Sequence, residues 1–170
     1  MNSSVSAQTL TERTVIESFD LEFAHLHGRS RNLINGIPVE SLYLKPRSNP
    51  DHPLVQSIGE CVLKSAGAVE QTFGGLTANL WDDPFEWTLP ETLSTKELVE
   101  EYLEEVEETR KRAFDRFLDD GNLLKLITVP TGDARPLVTL LLETLVRATE
   151  FQGRAVVMHA LLSGERSATS

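Results

Sequence analysis

Lys64 is the residue least suited to its surroundings: it sits between Leu63 and Ser65-Ala66-Gly67-Ala68, in a stretch otherwise apolar or small. Cys61, the single cysteine of the chain, stands three positions earlier. A thiol attacks only as the thiolate, which requires exposure and nearby positive charge, and Lys64 could supply that charge. A small buried hydrophobe is the simpler account of Cys61 among such neighbours. Further along, Arg147 and Phe151 lie four apart, with Glu150 and Arg154 beside them. On a helix these charges read first as a solvated ion-pair face worth about a few tenths of a kcal/mol. Both tryptophans, Trp81 and Trp87, fall in Leu-Trp-Asp-Asp-Pro-Phe-Glu-Trp together with Phe85, in a chain only 6% aromatic. Such a cluster pins a long loop onto a bundle end or, less often, lines the mouth of a pocket.

Other chemistry is sparse. There is no phosphate-binding Gly loop, Gly-x-Ser-x-Gly elbow, His-Glu-x-x-His or Cys-x-x-Cys. Of the four histidines, His25 and His27 are two apart and point in different directions on a helix, so they cannot chelate one ion together. His52 sits in a Pro-rich loop and His159 near the end of the last helix, and both read as ordinary histidines. The carboxylates from Glu97 to Glu108 read as one solvated helical face.

Composition narrows the classes. The chain has 170 residues, 40% hydrophobic and 25% charged, which suits one compact domain. Sixteen Lys+Arg against 26 Asp+Glu leave a net charge of −10, which repels phosphate backbones and argues against a nucleic-acid partner. No apolar run approaches the ~20 residues of a membrane helix, so no membrane partner is expected. The polar start from Met1 to Gln8 lacks the parts of a secretion signal, and the expected location is cytoplasmic. A lone cysteine excludes an internal disulfide and any multi-thiolate metal site.

Periodicity predicts an all-α fold of four helices, with no convincing strand alternation. The first runs from about Thr11 to Asn35, capped by Thr9-x-x-Glu12, with Ile16, Phe19, Phe23, Leu26 and Leu33 or Ile34 inward. The second runs from about Leu54 to Ala78. Its stripe is Ile58, Val62, Ala66 or Val69, and Phe73, beside a small-residue face of Ser57, Cys61, Gly67 and Ala68, and Gly74-Gly75 weakens its last turn. The third, Thr95 to about Leu118, follows a Ser94-x-x-Glu97 capping box, with Leu98, Tyr102, Val106, Ala113 and Phe117 inward. The fourth, from about Ala134 to Leu162 with Asp133 as cap, carries Leu137, Leu140, Leu141, Leu145, Ala148, Phe151, Val156, Met158 and Leu162. It reads as the most buried of the four. Residues 1–10 and 165–170 read as flexible ends around a single domain of residues 11–164. The connection from Asn79 to Leu93 is long enough to run the length of a bundle, which permits parallel second and third helices.

Three stretches, in order, resemble the DinB/YfiT-like superfamily of bacterial four-helix bundles: Arg31-Asn-Leu-Ile-Asn-Gly-Ile-Pro-Val-Glu-Ser-Leu with Lys45-Pro46, Ser57-Ile-Gly-Glu-Cys-Val-Leu-Lys-Ser-Ala-Gly-Ala-Val-Glu70, and Arg147-Ala-Thr-Glu-Phe-Gln-Gly-Arg154. The resemblance implies an up-down-down-up bundle with a long crossover between helices two and three. It also implies a divalent metal held by three histidines from the second and fourth helices. Those positions fall on Lys64, Arg147 and Phe151, none of which offers a lone pair at neutral pH, so no metal and no cofactor is expected. If Lys64 and Arg147 converge there, Glu60, Glu70, Glu143 or Glu150, or a bound anion, must compensate them. Further pocket-lining candidates are Cys61, Arg154, Trp81 and Trp87. The reading is then a non-catalytic bundle that binds a small acidic ligand or a protein partner, with a homodimer through an apolar helix face as one form. The alternative is a thiol-dependent transferase or isomerase of the same superfamily, metal-independent or with an unrecognised metal site.

Overall fold

The computed structural model describes residues 12–46 and 55–167, which are mostly helical, with four α-helices and little sheet. The helices are α1 (Thr14–Gly36), α2 (Ile58–Ala78), α3 (Lys96–Phe114) and α4 (Leu137–Ser167). Short 3-10 turns at Val39–Ser41, Pro84–Glu86 and Asp120–Leu124 punctuate the connections. No helix among the described residues is long and apolar enough to cross a membrane. His52, Thr9, Leu54 and the chain ends at 1–10 and 168–170 lie outside the described residues.

The core forms where the helical stripes meet. Phe23 of α1, Phe73 of α2 and Phe114 of α3 pack as one aromatic cluster, with centroids 5.0, 5.5 and 6.1 Å apart. α2 packs chiefly on α4 and α3, and α1 on α3 and α4, while α1 and α2 barely meet. Hydrogen bonds cross these seams. The Ser65 hydroxyl donates to the Ala148 carbonyl at 2.8 Å, and the Thr72 and Thr144 hydroxyls lie 2.6 Å apart. The Gln152 amide donates to the Leu26 carbonyl at 2.8 Å and to the Ser30 hydroxyl at 2.9 Å. Each satisfies a polar group that burial would otherwise penalise.

Several sequence expectations are corrected. α2 starts later than Leu54 because Ser57 is its N-cap: its hydroxyl accepts from the Glu60 amide at 3.2 Å, and Glu60 accepts in return from the Ser57 amide at 2.7 Å. Ser57 is therefore no part of a helical small-residue face. α3 is capped by Thr95 rather than Ser94 and ends at Phe114, not Leu118. Its inward stripe takes Val99, Leu103 and Phe114, whereas Leu98 is exposed. α1 begins at Thr14, and Asp120, far along the chain, accepts from the amides of Val15 and Ile16 at 3.0 Å each.

The largest correction is a β-hairpin where helix four was expected to begin. Strand β1 (Leu126–Thr128) pairs antiparallel with β2 (Ala134–Pro136), with Ile127 opposite Arg135. Pro130 enters the turn, and Gly132 takes a left-handed φ of 88° while its amide donates to the Val129 carbonyl at 2.8 Å. Asp133 accepts from the Thr131 hydroxyl at 2.8 Å instead of capping a helix. α4 starts at Leu137 and runs to Ser167, past Leu162. α4 is not the most buried helix either: Val156 is exposed and Ala155 takes its inward place, while most of α2 is buried.

Candidate functional site

The crossover between α2 and α3 lies against α2 because α2 offers it glycine. A Cβ on Gly75 would stand 2.3 Å from the Trp81 ring, so only glycine lets Trp81 lie flat on the helix at that point. The Trp81 carbonyl accepts from the Gln71 side chain at 3.1 Å, and its indole N–H donates to Asn79 at 3.1 Å. Trp81 thus both pins the loop and forms one wall of a cleft.

That cleft, about 600 Å³, opens between α2, α4 and the hairpin, and its lining includes Gln71, Trp81, Arg135, Glu143 and Arg147. Arg147 donates to the Gln71 side-chain oxygen at 2.9 Å, a neutral partner. No carboxylate among the described residues forms an ion pair with Arg147, whereas Arg135 is paired with Glu143. The Thr144 hydroxyl donates to the Leu140 carbonyl at 2.7 Å, which leaves Thr72 as donor to Thr144, so neither Thr proton is free for a ligand. Asp133, on the exposed turn, is the unpaired acid of the lining. Among the described residues, Arg147 is therefore the cation of this cleft whose charge no ion pair compensates.

Lys64 sits elsewhere. Its ammonium lies 5.5 Å from the Phe85 centroid and 5.8 Å from that of Phe151, and the two rings meet edge to face at 6.2 Å. Arg154 lies against the same Phe151 ring at 5.2 Å. The aromatic faces take the place of a counter-ion for Lys64. Among the described residues no hydrogen bond joins Lys64 to Arg147, and none of the four carboxylates expected to compensate them does so. Glu60 completes the α2 cap and stands 4.0 Å from Lys45, Glu70 accepts from Tyr102 at 2.5 Å, Glu143 holds Arg135, and Glu150 is exposed without an ion pair among the described residues.

Cys61 is buried, and burial, with Glu60 nearby, pushes its thiol up to about 11 against the smaller opposing pull of Arg154 and Lys64. Its surroundings do not make a nucleophile. Trp87 is exposed beside Glu70 on the rim of a smaller cleft of about 240 Å³ between α2, the crossover and α3. Burial raises the Glu70 carboxyl above its ordinary range, outweighing the Tyr102 hydrogen bond that favours its charge.

Nothing in the carboxylate run of α3 set Glu107 apart, yet it is buried beside Arg110, so that face is not uniformly solvated. The Arg110 guanidinium donates twice to Glu107, at 2.7 Å each, and also reaches Asp20 of α1. Burial alone would raise Glu107, but the hydrogen bonds and charge of Arg110 outweigh it and hold the carboxyl below its ordinary value. The signal that could have found the pair is its spacing: Val99, Leu103, Val106, Arg110 and Ala113 continue the apolar stripe at three- and four-residue steps. His27 packs close by, 3.4 Å from Glu104, and burial lowers its pKa against the opposing pull of Glu107 and Glu104. His25 is exposed beside Glu22.

No group of three or more His, Cys, Asp or Glu among the described residues is placed to hold a metal ion. The positions where the resemblance implies metal ligands carry an ammonium on aromatic rings, a guanidinium on an amide and a phenyl ring, and such a donor set does not fit a divalent ion. The chain matches no protein-family model, no curated protein and no solved structure.

Proposed function

We propose that this chain is a metal-free, DinB-like four-helix bundle that binds a small carboxylate ligand in the cleft under the hairpin, without catalysis. The order of cross-helix hydrogen bonds supports an up-down-down-up course. Asp20 meets Arg110 and Arg31 meets Glu104, so α1 and α3 oppose each other. Glu70 meets Tyr102 and Thr77 meets Arg116, so α2 and α3 run alongside. Ser65 meets Ala148 and Thr72 meets Thr144, so α4 opposes α2. The Asn79–Leu93 connection then acts as the return crossover. The DinB-like assignment itself rests on the three sequence stretches and their order.

The observation that carries the ligand reading is Arg147, held on the cleft wall by a neutral amide and by no carboxylate among the described residues. A guanidinium in this state can donate paired charged hydrogen bonds to a carboxylate. The cleft volume of about 600 Å³ falls within the size range of small-molecule sites. Trp81 supplies apolar surface for the body of the ligand. The overall charge of −10 repels anions at long range, so recognition depends on this local cation.

Calorimetric titration with a panel of mono- and dicarboxylates tests the reading. Saturable binding that Arg147→Gln weakens by about tenfold or more is expected, from the worth of a charged hydrogen bond. Absence of binding across the panel, or equal binding by Arg147→Gln, would sink it. Turnover of a low-molecular-weight thiol, abolished by Lys64→Ala and Arg147→Ala, would install the transferase reading instead.

A further inference from the structure

The cleft under the hairpin is lined by charges of both signs: Arg135 and Arg147 against Asp133 and Glu143. Arg135 and Glu143 pair with each other, which removes one charge of each sign. One of each sign remains. Arg147 holds the neutral Gln71 side chain, and Asp133 forms no ion pair among the described residues, although Arg135 stands two positions away in the chain. Arg147 comes from α4 and Asp133 from the turn of the hairpin. No ion pair joins these two, so they line one cleft but stand too far apart to satisfy each other.

The turn holds Asp133 in place. Its backbone carbonyl accepts from the Val129 amide at 3.0 Å. Its carboxylate accepts from the Thr131 hydroxyl at 2.8 Å through Oδ2, while Oδ1 accepts no hydrogen bond among the described residues. A fixed carboxylate with a vacant oxygen and a guanidinium without a counter-ion thus share one lining.

We propose that the ligand of this cleft is an amino carboxylate, a small molecule carrying both an ammonium and a carboxylate, with the carboxylate on Arg147 and the ammonium on Asp133. This inference rests on the carboxylate reading of the cleft and narrows it. A plain carboxylate satisfies Arg147 but meets Asp133 as a like charge, whereas an ammonium turns that repulsion into a charged hydrogen bond. The guanidinium only donates and the Asp133 carboxylate only accepts, so each end of the zwitterion meets its complement. The four charged groups of the lining carry no net charge together, and a zwitterion leaves that balance unchanged. The chain's net charge of −10 repels an anion at long range but not a molecule without net charge. Trp81, Leu140 and Pro130 give the same lining apolar surface for the carbons that join the two charges.

Calorimetric titration with glycine, β-alanine, γ-aminobutanoate and δ-aminopentanoate tests it, each compared with the carboxylate that carries a methyl group in place of the ammonium. At least one amino carboxylate is expected to bind about tenfold or more tightly than its methyl counterpart. Asp133→Asn keeps an oxygen for the Thr131 hydroxyl at an exposed position, so the thermal melt should hold. That variant is expected to lose most of the preference for the amine while binding the methyl counterpart no more weakly. Arg147→Gln is expected to weaken both members of the pair. Equal binding by both members of every pair overturns this inference and leaves the plain-carboxylate reading standing. A preference undiminished in Asp133→Asn also overturns it, and absence of binding by every member overturns both readings.

Discussion

Replacing Arg110 by methionine removes a guanidinium that is only 2% exposed while preserving much of its apolar length. It deletes both hydrogen bonds to Glu107, each 2.7 Å long, and the link to Asp20. Glu107, whose side chain is 5% exposed, is left with Lys111 at 3.5 Å and the weaker field of His27. Stranding a buried charge in this way costs about 3–5 kcal/mol, against a total stability of about 5–15 kcal/mol for a domain. Urea unfolding at neutral pH measures it. Adding Glu107→Gln removes the stranded charge, so the double variant should recover much of the loss. The pH dependence provides a second reading. In the wild type Glu107 is held low, so its contribution is complete above its unfolded pKa of about 4.3 and fades as pH falls through the lower folded value. Without Arg110, burial is opposed only weakly and the folded value moves up. The variant's deficit should therefore be largest at neutral pH and shrink as pH falls through that raised value. A loss under about 1 kcal/mol, or a double variant no more stable than Arg110→Met, would refute the buried-pair account.

Two further outcomes are expected. Gly75→Ala puts a Cβ 2.3 Å from the Trp81 ring, so the indole must leave its seat on α2. A stability loss of about 1–3 kcal/mol with altered tryptophan emission should follow, and an unchanged spectrum would contradict the packing. The Cys61 thiol, raised from 9.0 to about 11, should react with a disulfide reagent at mildly alkaline pH about a hundredfold more slowly than in the denatured chain. Equal rates would mean that it is neither buried nor shifted.

The four helices were legible because each carries a long apolar period, and Ile16, Phe23, Phe73 and Leu141 are buried as that period predicts. The hairpin was not, since three-residue strands are too short to show alternation. Its available signal was Val129-Pro130-Thr131-Gly132-Asp133, a turn sequence next to the β-branched Ile127 and Thr128. Reading Ala134 to Pro136 as helix hid the position of Arg135, and with it half of the cleft. Arg147 and Trp81 stand out in the sequence as separate candidates. Their shared cleft depends on Gly75 admitting the indole and on the hairpin closing one side.

Helix number, the acidic surface and the choice of cysteine, lysine and arginine as the chemistry to watch belong to the sequence alone. They follow from local composition and from periods that repeat within one turn or two. Which polar groups are buried, and with whom, arises only from tertiary structure. Glu107 differs from its exposed neighbour Glu108 in the same helix because it shares the inward side of α3 with Arg110, whose guanidinium also reaches Asp20. The first amides of α1 are capped by Asp120, more than a hundred residues away. Electrostatic and hydrogen-bond partners are fixed by distance in space, which a linear period of three or four residues does not encode.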